Sequence, residues 1–161
     1  MRLIRLIIIS YSIIFVVLSC KNVRKEKKVE DNFYTKTNSS WDAIRLPLIK
    51  PYELIKLNGS NEWNMNLQET PGSISDIKGI NVIGNIIVIH SGETYCNNEK
   101  VGEAWFAVVP EKHVEKGFNK KEDFDNYIFI LKISDIKFRN VDKVYDSFMV
   151  NKKIDWQSGL N

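Results

Sequence analysis

The apolar positions of this chain fall into three regimes. From Leu6 to Leu18 they form one uncharged run of thirteen residues, rich in isoleucine and valine, behind Arg2 and Arg5. From Lys21 to Ser40 they lose all period among lysines, glutamates, threonines and asparagines. Beyond residue 40 they recur in short β-branched groups and then at helical spacing.

The third regime predicts most of a fold. Pro47 and Pro51 break the first apolar stretch, so a strand is expected only over 52–57, with Asn58-Gly59-Ser60 turning it into a second strand over 62–67. Ile77 to Ile83 and Ile86 to His90 are β-branched runs separated by Gly84-Asn85, a pair that accepts positive φ and closes a tight hairpin. Glu103 to Val109 (EAWFAVV) is apolar on both faces, as in a covered central strand, and Pro110 closes it. The intervening SGETYCNNEKVG is expected to extend these strands as a long hairpin turning at Asn97-Asn98-Glu99-Lys100, because a structureless twelve-residue loop is uncommon.

Two helices should follow. Asn119 and Glu122 stand at capping-box spacing, ahead of Phe124, Tyr127, Ile128 and Leu131 on one face. Val141, Val144, Tyr145 and Phe148 mark a second helix before a tail with Ile154 and Trp156. Strands first and helices last predict an α+β domain over 41–161, a mostly antiparallel sheet of about five strands with two C-terminal helices packed on one face.

The first regime is too short to span about 30 Å of hydrocarbon, which takes roughly 20 apolar residues, and it has the length of a signal h-region. It ends in Val17-Leu18-Ser19-Cys20, which resembles the lipobox of bacterial lipoproteins: an aliphatic residue, a tolerant position, a small residue, then cysteine. The resemblance implies a signal peptide over 1–19, cleavage between Ser19 and Cys20, and lipid on Cys20. The mature protein would then be lipid-anchored in the cell envelope, at the inner or outer membrane. Two or more acyl chains suffice for stable anchoring where one is marginal. The globular part resembles envelope lipoproteins in its Ile-, Lys- and Asn-rich usage, a likeness that implies no activity. Residues 21–40 are expected to be a disordered tether, with a span of roughly 25 Å as a flexible coil.

Charge counted by region removes one class of partner. The chain carries a formal +3, yet residues 41–161 hold 15 Lys and Arg against 17 Asp and Glu, a net of −2. The domain has no basic face of the kind nucleic acid requires.

With Cys20 lipidated, Cys96 has no disulfide partner. A nucleophilic Cys96 would need His90 or His113 as its base, and six residues of extended strand put His90 about 20 Å away. A metal set of His90, Glu93, Cys96 and His113 matches no zinc spacing, and no cofactor or catalytic motif occurs. Glu103, Glu111, Glu115, Asp123 and Asp125 supply carboxylates whose pairing only folding decides. Trp63, Trp105 and Trp156 read as core, whereas Tyr95, Asn97 and Asn98 should stand at an exposed hairpin tip, where scaffolds display contact residues. The sequence therefore favours a non-enzymatic domain that binds an envelope protein, as inhibitor-, immunity- or assembly-accessory lipoproteins do. An envelope hydrolase using Cys96 with a histidine, or a carboxylate pair, and a glycan-binding module are the alternatives.

Overall fold

The computed structural model describes residues 32–40 and 42–156, within a compact unit spanning 31–161 that has its own core. The expected signal, cleavage site and lipidated cysteine, Ser19 and Cys20 included, lie outside the described residues. No helix among the described residues is long and apolar enough to cross a membrane.

The Gly84-Asn85 hairpin forms as its composition dictates. Strand β6 (Ile77–Ile83) and strand β7 (Ile86–Ser91) pair with Ile83 opposite Ile86, and Gly84 takes the positive φ of 57° that the turn demands. Strand β10 (Ala104–Val109) is buried along its whole length, paired with β7 on one side and with β11 (Val114–Phe118) on the other. Short strand β12 (Arg139–Asn140) joins the far edge of β6, giving the antiparallel order β11-β10-β7-β6-β12.

The α+β class, the five-stranded sheet and the two closing helices are as expected, and each helix packs on one face. Strand alternation sorts the sheet. Val88, Trp105, Ala107 and Phe118 share a cluster with Phe124 and Ile128 of helix α1 (Lys121–Ile130). Ile80, Val82, Ile87, Ile89, Phe106 and Val108 point to the opposite face, where Val141, Val144 and Phe148 of helix α2 (Val141–Asn151) meet them. Asn140 caps α2, its side chain accepting from Lys143 N at 3.1 Å. The expected capping box of α1 does not form: Lys120 is the cap residue, its carbonyl takes the first bond from Phe124 N at 3.3 Å, and Asn119 lies one position too early.

The α2 face is also covered by shorter strands. β1 (Asn38–Ser40), β2 (Ala43–Pro47) and β3 (Glu53–Leu57) form a three-stranded antiparallel sheet in that order. Strand β2 departs from the expectation that Pro47 interrupts the first apolar stretch: Pro47 is the last residue of the strand, opposite Glu53. The expected hairpin between 52–57 and 62–67 shrinks to one bridge, Ile55 with Asn64, whose two backbone bonds are each 2.8 Å. β4 (Met65–Asn66) pairs with β5 (Ser73–Ile74).

Residues 32–40, read in the sequence as part of a disordered tether, carry a turn and β1. The cause is Arg45, buried on β2, whose Nη1 donates to the carbonyls of Phe33 at 2.7 Å and Lys36 at 2.6 Å while its guanidinium pairs with Glu53. A buried guanidinium needs such acceptors, and the polar segment supplies them.

Candidate functional site

Between β7 and β10 the chain makes a separate ribbon, β8 (Thr94–Cys96) with β9 (Glu99–Val101), rather than continuing both long strands. Its turn is the pair Asn97-Asn98, with φ of 52° and 67°. Asparagine tolerates this left-handed geometry better than most residues, so the backbone alone accounts for both positions. Alternation then decides the side chains: Thr94 and Cys96 are buried, and Tyr95 between them is 63% exposed. Thr94 Oγ1 accepts from Ser75 N at 3.1 Å, tying the base of the ribbon to the end of β5.

Tyr95, Asn97 and Asn98 border one cleft of about 470 Å³. Its floor is the β10–β11 edge of the large sheet, with Phe106, Val108 and Gly117, and its far wall is the loop from Leu67 to Ser73. Gly117 is required there. A Cβ would stand 2.8 Å from Phe106 Cε1 and 2.9 Å from Cys96 Sγ, inside ordinary contact distance.

The wall is held by Glu115. Its carboxylate accepts from Gln68 N at 2.6 Å, Glu69 N at 3.1 Å, Thr70 N at 3.0 Å, Thr70 Oγ1 at 2.9 Å and the Tyr52 hydroxyl at 2.9 Å. Burial acts against its charge, but the Gln68 amide, Tyr52 and Thr70 outweigh it and hold the carboxyl below its usual range. Burial and the same contact push the Tyr52 phenol up. On the opposite face of β11, the Lys116 ammonium lies 4.4 Å from the Tyr127 ring centre. The only acid and the only cation among the described lining residues are thus engaged within the protein, which leaves the cleft to uncharged polar and apolar contacts.

The candidate catalytic groups are not brought together. Cys96 is buried, and burial, followed by the Glu99 carboxylate, raises its thiol above the usual value, so the thiolate is disfavoured. His90 stacks on Trp105 with ring centres 5.4 Å apart and meets Glu103 Oε1 at 2.7 Å, on the sheet face away from Cys96. His113 meets Glu69 Oε1 at 2.6 Å, and Glu93 pairs with Lys100 at 2.7 Å. Glu111 accepts from Asn85, and Asp125 pairs with Lys121 within α1, where Asp123 is exposed on the first turn. Among the described residues no three His, Cys, Asp or Glu side chains converge as a metal set. Trp63 and Trp105 are core as expected, and Trp156 packs half-buried against it.

Tyr95, Asn97 and Asn98 lie at the expected turn, whereas Glu115 as the post of the wall and Gly117 in the floor are not marked in the sequence. Neither carries a local signal, since the donors to Glu115 lie 45 to 63 positions away. No known protein family, curated protein or solved structure matches the chain.

Proposed function

We propose that this protein is a lipid-anchored component of the bacterial cell envelope whose α+β domain binds another envelope protein, without catalysing a reaction, through the cleft bordered by Tyr95, Asn97 and Asn98. The observation that carries this reading is the position of Tyr95. A large amphipathic ring stands 63% exposed on a two-stranded ribbon, beside a concave surface free of uncommitted charge. Exposed aromatic side chains next to a pocket are the usual anchors of protein interfaces. The engagement of Glu115 speaks against hydrolysis in the cleft, because a carboxylate saturated with donors and held ionised is a poor proton donor.

The anchor rests on Val17-Leu18-Ser19-Cys20. Only residues 21–31 separate Cys20 from the first described residue, so the domain stays within about 40 Å of its lipid even at full extension. Cys20→Ser should move the protein out of the membrane fraction and abolish incorporation of labelled palmitate; unchanged fractionation and labelling would refute the anchor.

The binding reading is tested with the compact unit 31–161, immobilised and exposed to solubilised envelope. A stoichiometric protein should be retained by the wild type and lost at least tenfold on Tyr95→Ala, with folding unchanged. A glycan module is the second reading, favoured by the Tyr95 ring beside two side-chain amides. Retention of oligosaccharide with no protein partner would put it in first place.

A further inference from the structure

A second pocket, of about 320 Å³, shares no lining residue with the first. Its walls are Leu48 at the end of β2, Val82 beside the β6–β7 turn, Phe148 of α2, and Ile154 and Trp156 of the tail. Leu48, Val82 and Phe148 are buried core residues, so these walls are fixed by packing. The tail is fixed as well: Arg139 Nη1 donates to the Asp155 carbonyl at 2.7 Å, and its guanidinium lies 5.7 Å from the Trp156 ring centre.

The charge at this pocket is one-sided. α2 ends with Lys152 in a left-handed conformation, φ 55°, its N–H returning to the Phe148 carbonyl at 2.8 Å. That reversal brings the tail back and leaves the exposed Lys152 and Lys153 bordering the pocket. Neither ammonium pairs with a carboxylate among the described residues, and no described lining residue is acidic. Lysines at a helix end complement its dipole, which explains one such charge on a polar surface. It does not explain two of them around an apolar hollow.

We propose that this pocket binds a fatty acid, its aliphatic chain lying among Leu48, Val82, Phe148 and Trp156 and its carboxylate at Lys152 and Lys153. A methylene fills about as much space as a water molecule in the liquid, about 30 Å³, so the pocket takes one chain of roughly ten carbons and has no room for the second chain of a phospholipid. Anionic heads suit the lysines, and cationic heads are repelled.

Titration calorimetry on the unit 31–161 tests this with octanoate, decanoate and dodecanoate below their micelle concentrations, and with decanol and decyltrimethylammonium as uncharged and cationic counterparts. Affinity should rise about three- to fourfold per methylene and level off near ten carbons. The cationic amphiphile should bind at least tenfold more weakly than decanoate. The exposed double variant Lys152→Glu/Lys153→Glu should lose about tenfold for decanoate and nothing for decanol. Five outcomes would overturn the proposal: no saturable binding, equal affinity for the cation, a rise with length that never levels off, retention of phospholipid vesicles only, or binding that appears only after removal of residues 157–161, which would make the tail itself the occupant.

Discussion

Tyr52 and Glu115 lie 63 positions apart, and the Tyr52 hydroxyl donates to Glu115 Oε1 at 2.9 Å. The same carboxylate takes three successive backbone amides and the Thr70 hydroxyl, so one side chain on the edge strand β11 positions a whole loop. A carboxylate offers about four lone-pair sites, all acceptors, which suits a ring of donors and nothing else. The shape of the cleft follows from this contact.

Glu115→Gln should therefore be far from conservative. The amide keeps one acceptor oxygen and turns an NH₂ group toward backbone amides that have no other acceptor among the described residues. We expect a loss of about 1 to 2 kcal/mol in urea unfolding, since water reaches the exposed loop, with accelerated hydrogen exchange at Gln68 to Thr70. A change below about 0.5 kcal/mol would show that the loop is held by other contacts.

Stability should also depend on pH through this group. The folded-state value of Glu115 lies below the unfolded one, so its contribution is fully present above the ordinary glutamate value of about 4.3 and is lost as pH falls through the lower, folded value. Asp142 acts in the same direction, because the Trp63 indole N–H at 2.9 Å and Lys56 hold its carboxyl down against partial burial. Unfolding free energy should fall with pH below about 4.3, by at most about 1.4 kcal/mol per unit for each group, and Glu115→Gln should flatten the profile without abolishing it. Superimposable profiles for the two proteins would contradict the assignment.

Arg45 should control the segment before β2. Arg45→Met strands the Glu53 carboxylate and removes the guanidinium donor from the Phe33 and Lys36 carbonyls. Breaking a buried pair from one side costs about 3 kcal/mol, and trypsin should cut after Lys36 much faster than in the wild type. Unaltered cleavage would mean that β1 alone holds the segment.

Cys96 should be inert in the folded protein. Only 3% of it is exposed, and its thiol is shifted away from the reactive thiolate. Labelling by iodoacetamide at neutral pH should be at least about a hundredfold slower than in urea. Comparable rates would reopen a thiol-based activity.

Much of this architecture was legible because local chemistry and tertiary structure agree. Gly84-Asn85 permits only a tight turn between two β-branched runs, EAWFAVV has no polar face to expose, and Val141, Val144 and Phe148 repeat at helical spacing above Asn140. Where tertiary partners decide, the residues are silent. β11 reads VEKGF, which has no strand pattern of its own and becomes a strand because β10 offers it a ladder. β2 contains an arginine whose acceptors come from Phe33, Lys36 and Glu53, and nothing in its own five residues announces that they will be there. The candidate site divides in the same way: the Asn97-Asn98 turn and the outward Tyr95 follow from local rules, while the floor and wall that make a cleft beside them come from distant segments.

Binding through the cleft requires that Tyr95 touch a partner in the envelope. Replacing it by a photoreactive phenylalanine analogue, with the same analogue at exposed Asp146 on α2 as control, and irradiating cells that make the full chain gives the direct answer. A discrete cross-linked protein from position 95 and none from position 146 is the predicted result. Equal yields from both positions, or none from either, would contradict it.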